Sequence, residues 1–179
     1  MLENPSYKIK VQGVRRLVKV VAFGSSGSGK SSLIRCIAPS AKHINSGTDG
    51  TTIGYDLGIL QYGNCSIFYY GTPGLERYRN VVNVIANGMN IGLIVVDATR
   101  GMTEYEKGIM KELKDKKVPF IIVANKIDLP GESLENIRND VDKDRLIMPI
   151  SAKLNAGVNM LVQSVNEMID LYEPGASKI

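Results

Sequence analysis

At 179 residues, 44% of them hydrophobic, the chain has the size of one domain with a substantial core. Its 22 basic and 18 acidic residues leave a net charge of +4 with no basic block, which argues against nucleic acid as a partner. The single histidine, His43, argues against a histidine metal site or a catalytic triad. Cys36 and Cys65 are the only cysteines and read as free thiols in a reducing compartment rather than a disulfide.

Met1-Leu2-Glu3-Asn4-Pro5 lacks the apolar stretch of a signal peptide, and no apolar run reaches the ~18 residues of a membrane span. Neither end carries a lipidation motif. The expectation is a cytoplasmic protein with no membrane span and no lipid anchor.

Residues 1–16 are polar and punctuated by Pro5 and Gly13, with Tyr7–Val11 either an edge strand or a flexible arm. The β-branched run Leu17–Phe23 predicts the first core strand. Gly24-Ser25-Ser26-Gly27-Ser28-Gly29-Lys30-Ser31 follows and fits G-x-x-x-x-G-K-[ST] at every fixed position. Glycines let the backbone turn its N–H groups inward around an anion. Lys30 supplies a point charge for β- and γ-phosphates, and the Ser31 hydroxyl is a ligand for Mg²⁺. The helix opening at Lys30 continues through Ser32–Ile37 to end near Pro39, and its dipole favours the same anion.

Pro39 to Thr52 is poor in apolar residues and reads as a loop. Ile53–Leu60 and Cys65–Tyr70, joined by a tight turn at Tyr62-Gly63-Asn64, predict a hairpin. Gly71-Thr72-Pro73-Gly74 ends its second strand. A helix is expected over Glu76–Asn87, then a strand over Ile91–Val96, a helix over Glu104–Lys116 and a strand over Phe120–Ala124. A helix within Ser133–Val141, a strand over Leu146–Ile150 and a helix over Val158–Tyr172 complete the chain. The fold class is therefore α/β, a three-layer P-loop NTPase with a mostly parallel six-stranded sheet and one antiparallel strand.

Two further segments sit at the ends of predicted strands, where ligands bind in open α/β sheets. Asn125-Lys126-Ile127-Asp128 follows Phe120–Ala124, and Ser151-Ala152-Lys153 follows Leu146–Ile150. A carboxylate such as Asp128 accepts from both N1–H and the 2-amino group of guanine, whereas adenine would leave it unpaired. Asn125 can tie this loop to the phosphate loop, the stem of Lys126 can lie along the base, and the Ala152 N–H can meet guanine O6.

Taken in order, GSSGSGKS, Thr52, GTPG, NKID and SAK resemble the Ras-like small GTPase superfamily over Leu17 to Tyr172. TTIGYDLG and FYYGTPGLERYR are similar to a bacterial and archaeal branch that includes the gliding-motility polarity GTPase and the conservon GTPases, whose partners are often roadblock-fold proteins. The resemblance implies a GTP/GDP switch with Mg²⁺, a G domain over 17–173 with a flexible tail at 174–179, and mobile segments near 40–54 and 71–82. It implies that Lys30, Thr52 and Gly74 serve the γ-phosphate, with Thr52 also meeting Mg²⁺ and Thr51 its neighbouring rival.

Two positions depart from that pattern. Gly71 stands where such proteins carry an aspartate near Mg²⁺, which implies weaker Mg²⁺ dependence. Leu75 replaces the glutamine that orients the attacking water, and leucine can neither donate nor accept. Slow, partner-stimulated hydrolysis follows, unless Leu75 simply packs against the switch helix and another residue supplies the chemistry. Arg77 and Arg79 read as solvated helix positions ahead of the alternative of a cis arginine finger. Tyr55 and Asp56 read as structural. Competing readings are a GTP-binding interaction module that barely hydrolyses and a small-molecule kinase, the latter disfavoured by NKID and SAK.

Overall fold

The computed structural model describes residues 16–46, 53–74 and 79–172. Seven strands form one sheet in the order β2-β3-β4-β1-β5-β6-β7. They are β1 (Arg16–Phe23), β2 (Lys42–Ser46), β3 (Ile53–Tyr62), β4 (Cys65–Gly71), β5 (Ile91–Asp97), β6 (Phe120–Asn125) and β7 (Ile147–Ile150). Only β3 runs against its neighbours, pairing antiparallel with β2 and β4, while β1 pairs parallel with both β4 and β5. The helices are α1 (Lys30–Ile37), α2 (Arg79–Ala86), α3 (Glu104–Asp115), α4 (Leu134–Asn139) and α5 (Val158–Tyr172).

The central strands are buried on both faces, as continuous apolar runs require. On one face, Leu33, Ile34 and Ile37 of α1 and Leu161, Val165 and Ile169 of α5 pack over Val20, Leu93 and Val123. On the other, Val82, Met110, Leu113 and Ile137 from α2, α3 and α4 pack over Val21, Ile94 and Ile122. Helix, sheet and helix make the three layers expected. Cys36 and Cys65 are both free, and no described helix is long and apolar enough to cross a membrane.

The strand count corrects the expectation of six. Lys42–Ser46 lies inside the stretch read as a loop, yet it pairs with Ile53–Leu57 along the edge of the sheet. Its residues, Lys-His-Ile-Asn-Ser, lack an apolar pattern because an edge strand is held by main-chain bonds and needs little buried surface. The hairpin turns as expected, with Tyr62 opposite Cys65 and Gly63 at φ 52°. Tyr7–Val11 and the tail at 174–179 lie outside the described residues.

β1 sits at the centre of the sheet, with β4 on one side and β5 on the other, so the connections that leave β1 and β4 cross to opposite sides of it. The crevice beyond the carboxyl ends of these strands is where such sheets bind ligands. All three motifs open there.

Candidate nucleotide site

β1 gives way to Gly24, whose φ of 148° and closeness to the Val95 carbonyl admit no Cβ. Gly27 and Gly29 also have positive φ, 79° and 97°. Gly29 caps α1 in the left-handed conformation, with no side chain bonding the first turn and no acidic residue in it. The amides of that turn are thus open to an anion. Ser28 is fully buried and its Oγ has no hydrogen-bond partner, a polar atom that fits a loop built around a ligand. Ser31 lies half-buried in the first turn of α1, and Ser32 is exposed.

Lys30 is buried, and its Nζ donates to the carbonyls of Gly24 at 2.7 Å and Ser25 at 2.8 Å. Burial lowers its pKa to about 8, a shift that the negative charges of Glu106 and Asp56 oppose. A polyphosphate would supply the counter-charge that the carbonyls only approximate.

Gly74 lies against this loop. A Cβ there would fall 2.7 Å from the Ser26 amide nitrogen and 2.8 Å from Lys30 Nζ, so only glycine fits. Thr72 sets the approach, its N–H and Oγ1 both donating to the Ala22 carbonyl, at 3.0 and 2.9 Å. Thr51, Thr52, Leu75 and Arg77 lie outside the described residues, and so does the side chain of Arg79.

The base loops meet the phosphate loop through Asn125, at the end of β6. Its Nδ2 donates to the Ser28 carbonyl at 2.8 Å, and its Oδ1 accepts from the Ala152 N–H at 3.0 Å. The first bond is the tie expected from sequence. The second differs from expectation, because the Ala152 N–H expected to meet guanine is engaged by Asn125. Asp128 is half-buried and accepts at 2.6 Å from the Ser151 hydroxyl, which itself accepts from the Leu154 N–H at 3.1 Å. Ser151 thereby fixes the carboxylate.

Lys126 has φ 71°, and its Nζ reaches Asp97 Oδ2 at 2.6 Å. Burial opposes ionisation of Asp97, but bonds from Lys126 and Thr99 outweigh it and hold the carboxyl below its usual value. Lys153 is exposed.

One residue escapes the sequence reading, and a second, Asp56, enters it only as a structural residue. Glu106, in the first turn of α3, is 1% exposed and accepts from the Ser25 N–H at 2.6 Å and the Thr103 N–H at 3.0 Å. The only signal was its spacing from Thr103, a capping box. Asp56 of β3 is also buried, within reach of His43 and Arg35. Among the described residues no group of three His, Cys, Asp or Glu could hold a metal.

The comparisons agree with this geometry. The chain is 29% identical over 148 residues to an uncharacterized protein of Methanocaldococcus jannaschii, covering 83% of this chain and 94% of that one. It is 26% identical to the GTPase Der of Lawsonia intracellularis, covering 84% of this chain but 37% of Der. It is 28% identical to the tRNA modification GTPase MnmE of Desulforamulus reducens, of which it spans 35%.

Among solved structures, Methanococcus maripaludis elongation factor SelB with the GTP analogue GppNHp superposes with a TM-score of 0.70 at 23% identity, covering 92% of this chain and 35% of SelB. The G domain of the T. maritima FeoB iron transporter gives 0.68 at 16% identity, covering 86% of this chain and 99% of that domain. At these identities the structures establish the fold. Residues 15–171 match the elongation factor Tu GTP binding domain. With the phosphate cradle, the guanine-type loops and this match, the chain belongs to the family of elongation factor Tu-type GTP-binding domains, α/β P-loop GTPases that take GTP or GDP with Mg²⁺.

Proposed function

We propose that this GTP-binding domain works as a GTP/GDP switch that hydrolyses GTP slowly and is read by a protein partner. The observation that carries the reading is the seat of Gly74 against Ser26 and Lys30. That seat supports a role for the segment after β4 in sensing the γ-phosphate that distinguishes GTP from GDP. In this reading Lys30 and the amides of residues 24–32 hold the phosphates, and Ser31 and Thr52 hold Mg²⁺. Gly74 donates its N–H to the γ-phosphate. Asp128, supported by Asn125, Lys126, Ser151, Ala152 and Lys153, selects guanine.

Residues 17–173 form the working domain, flanked by an extension and a tail. The setting is cytoplasmic and the partner a protein of the roadblock fold, a reading that rests on the resemblance of TTIGYDLG and FYYGTPGLERYR to that branch. The relatives Der and MnmE carry the name GTPase, which supports hydrolysis here.

Leu75 bears on the rate. Small GTPases that keep the glutamine turn over at only ~10⁻⁴ s⁻¹ unaided, so this chain belongs at or below that rate. The same leucine favours a second reading, a module that signals by GTP occupancy and barely hydrolyses. Single-turnover hydrolysis of bound GTP, alone and with cell extract, separates the two. Conversion over hours, accelerated by extract, is the expected result, whereas several turnovers per minute by the isolated protein would contradict the slow switch. Equal affinity for ATP and GTP would overturn the guanine assignment.

A further inference from the structure

At Gly71 the second switch begins without the carboxylate that the motif pattern places near Mg²⁺. The neighbouring strand fills that position. β3 and β4 run antiparallel with Asp56 directly opposite Gly71, and opposed residues project from the same face of a sheet. A Cβ built on Gly71 would lie 3.4 Å from both Cβ and Oδ2 of Asp56, and 3.5 Å from Ile34 in α1. The Asp56 carboxyl therefore borders, at van der Waals distance, the space that a side chain at position 71 would enter. It does so on the face that carries α1, whose first turn holds Lys30 and Ser31.

Its two oxygens are divided. Oδ1 takes both side-chain contacts, His43 Nδ1 at 3.1 Å and the Arg35 guanidinium at 4.0 Å. Oδ2 lies toward Gly71. The side chains of His43 and Arg35 are 53% and 61% exposed, against 6% for Asp56. Solvated partners of that kind repay little of the cost of burying a carboxylate. The charge nonetheless reaches the phosphate site, since it acts to keep the Lys30 ammonium protonated.

We infer that Asp56 supplies, from β3, the carboxylate facing Mg²⁺ that position 71 lacks. Loss of the aspartate from the second switch is then a relocation across one strand pair, and Mg²⁺ dependence is retained rather than weakened. The inference rests on the reading of this site as one for a Mg²⁺-nucleotide.

The test is release of a fluorescent GDP analogue from the full chain, timed in Mg²⁺ and in EDTA, the ratio of the two rates being read for each variant. Native protein should show a large ratio. Asp56→Asn, which keeps the volume, should lower it ~10–100-fold, the usual effect of losing a partner around a metal. Asp56→Ala should do the same, and Gly71→Asp added to Asp56→Ala should restore the ratio, which a merely structural role for Asp56 would not allow. An Asp56→Asn protein with the native ratio would overturn the inference. So would one in which both rates rise together, since Asp56 would then hold the fold and not the cation. Native protein that binds guanine nucleotide with no response to Mg²⁺ would defeat the Mg²⁺-nucleotide reading itself, a distinguishable result.

Discussion

The Glu106 carboxylate accepts a 2.6 Å hydrogen bond from the backbone N–H of Ser25, eighty-one positions away in the chain. Its other oxygen accepts from the Thr103 N–H at 3.0 Å. One buried side chain thus clamps the second residue of the phosphate loop to the first turn of α3. Glu106→Ala removes a charged acceptor from two amides, and bonds to charged groups contribute ~1.5–3 kcal/mol each. Denaturant unfolding of the variant should show a loss of at least about that size, together with weaker GTP binding. Glu106→Gln keeps one acceptor and should lose less. Native stability in Glu106→Ala would show that the clamp is incidental.

Lys30 sets a pH dependence. Its pKa in the ligand-free protein is lowered by burial to about 8, and phosphate oxygens beside the ammonium would raise it again in the complex. Below pH 8 the lysine is charged in both states and affinity is at its full value. Above pH 8 the free protein has lost the proton and must regain it to bind. Affinity for GTP should then fall by up to ~10-fold per pH unit. Calorimetry at pH 9 in buffers of different ionisation enthalpy should reveal proton uptake. Affinity flat from pH 7 to 9.5 would show that Lys30 is not the group that meets the phosphates.

The same lysine has the opposite sign for stability. Between pH 8 and its ordinary value of 10.5, the unfolded chain binds more protons than the folded one, so unfolding free energy attributable to Lys30 rises with pH. Lys30→Met should flatten that rise in ligand-free protein while abolishing tight nucleotide binding. A variant whose stability tracks the native curve through this window would refute the assignment.

In the proposed site, base selection divides between Asp128 and its support. Asp128→Asn reverses one acceptor to a donor and should weaken GTP by a few kcal/mol while improving xanthine nucleotides. Ser151→Ala leaves the carboxylate in place but removes its 2.6 Å donor. It should weaken GTP about tenfold, equivalent to ~1.4 kcal/mol, without changing the order of bases. Competition assays with GTP, XTP and ATP distinguish the two outcomes.

Gly74→Ala puts a methyl group 2.7 Å from the Ser26 nitrogen and 2.8 Å from Lys30 Nζ. The lysine can swing away, but the backbone cannot. The variant should therefore hold the segment off the phosphate loop, lowering affinity for GTP about tenfold or more and sparing GDP. Paired titrations with GDP and a slowly hydrolysed GTP analogue check this. Equal losses for the two nucleotides would mean that the contact shapes the loop as a whole.

The sequence made the nucleotide loops and most elements legible for a physical reason. Strands buried on both faces, such as Ile91–Asp97, must be apolar throughout, and GSSGSGKS has few uses other than a phosphate cradle. β2 was hidden because an edge strand needs no apolar pattern. Glu106 was hidden because a glutamate in a charged helix looks like solvent-facing decoration until tertiary packing turns it inward. Asp56 gains meaning only from the residue across the ladder from it, and register is not visible in local sequence. The Ala152 N–H was assigned to a base because nothing in the sequence shows the Asn125 oxygen arriving first.

The Asn125 amide has a kinetic consequence. Its two ends grip the Ser28 carbonyl and the Ala152 N–H, so the seats of the phosphates and of the base share one joint. Departure of a nucleotide is then a concerted event. Leverage applied at the guanine loop is felt at the phosphate loop, and the reverse holds equally. In the proposed switch, a protein that hastens exchange would need to touch only one end of this site to open both, and the residence time of GDP would measure how firmly a single carboxamide is held.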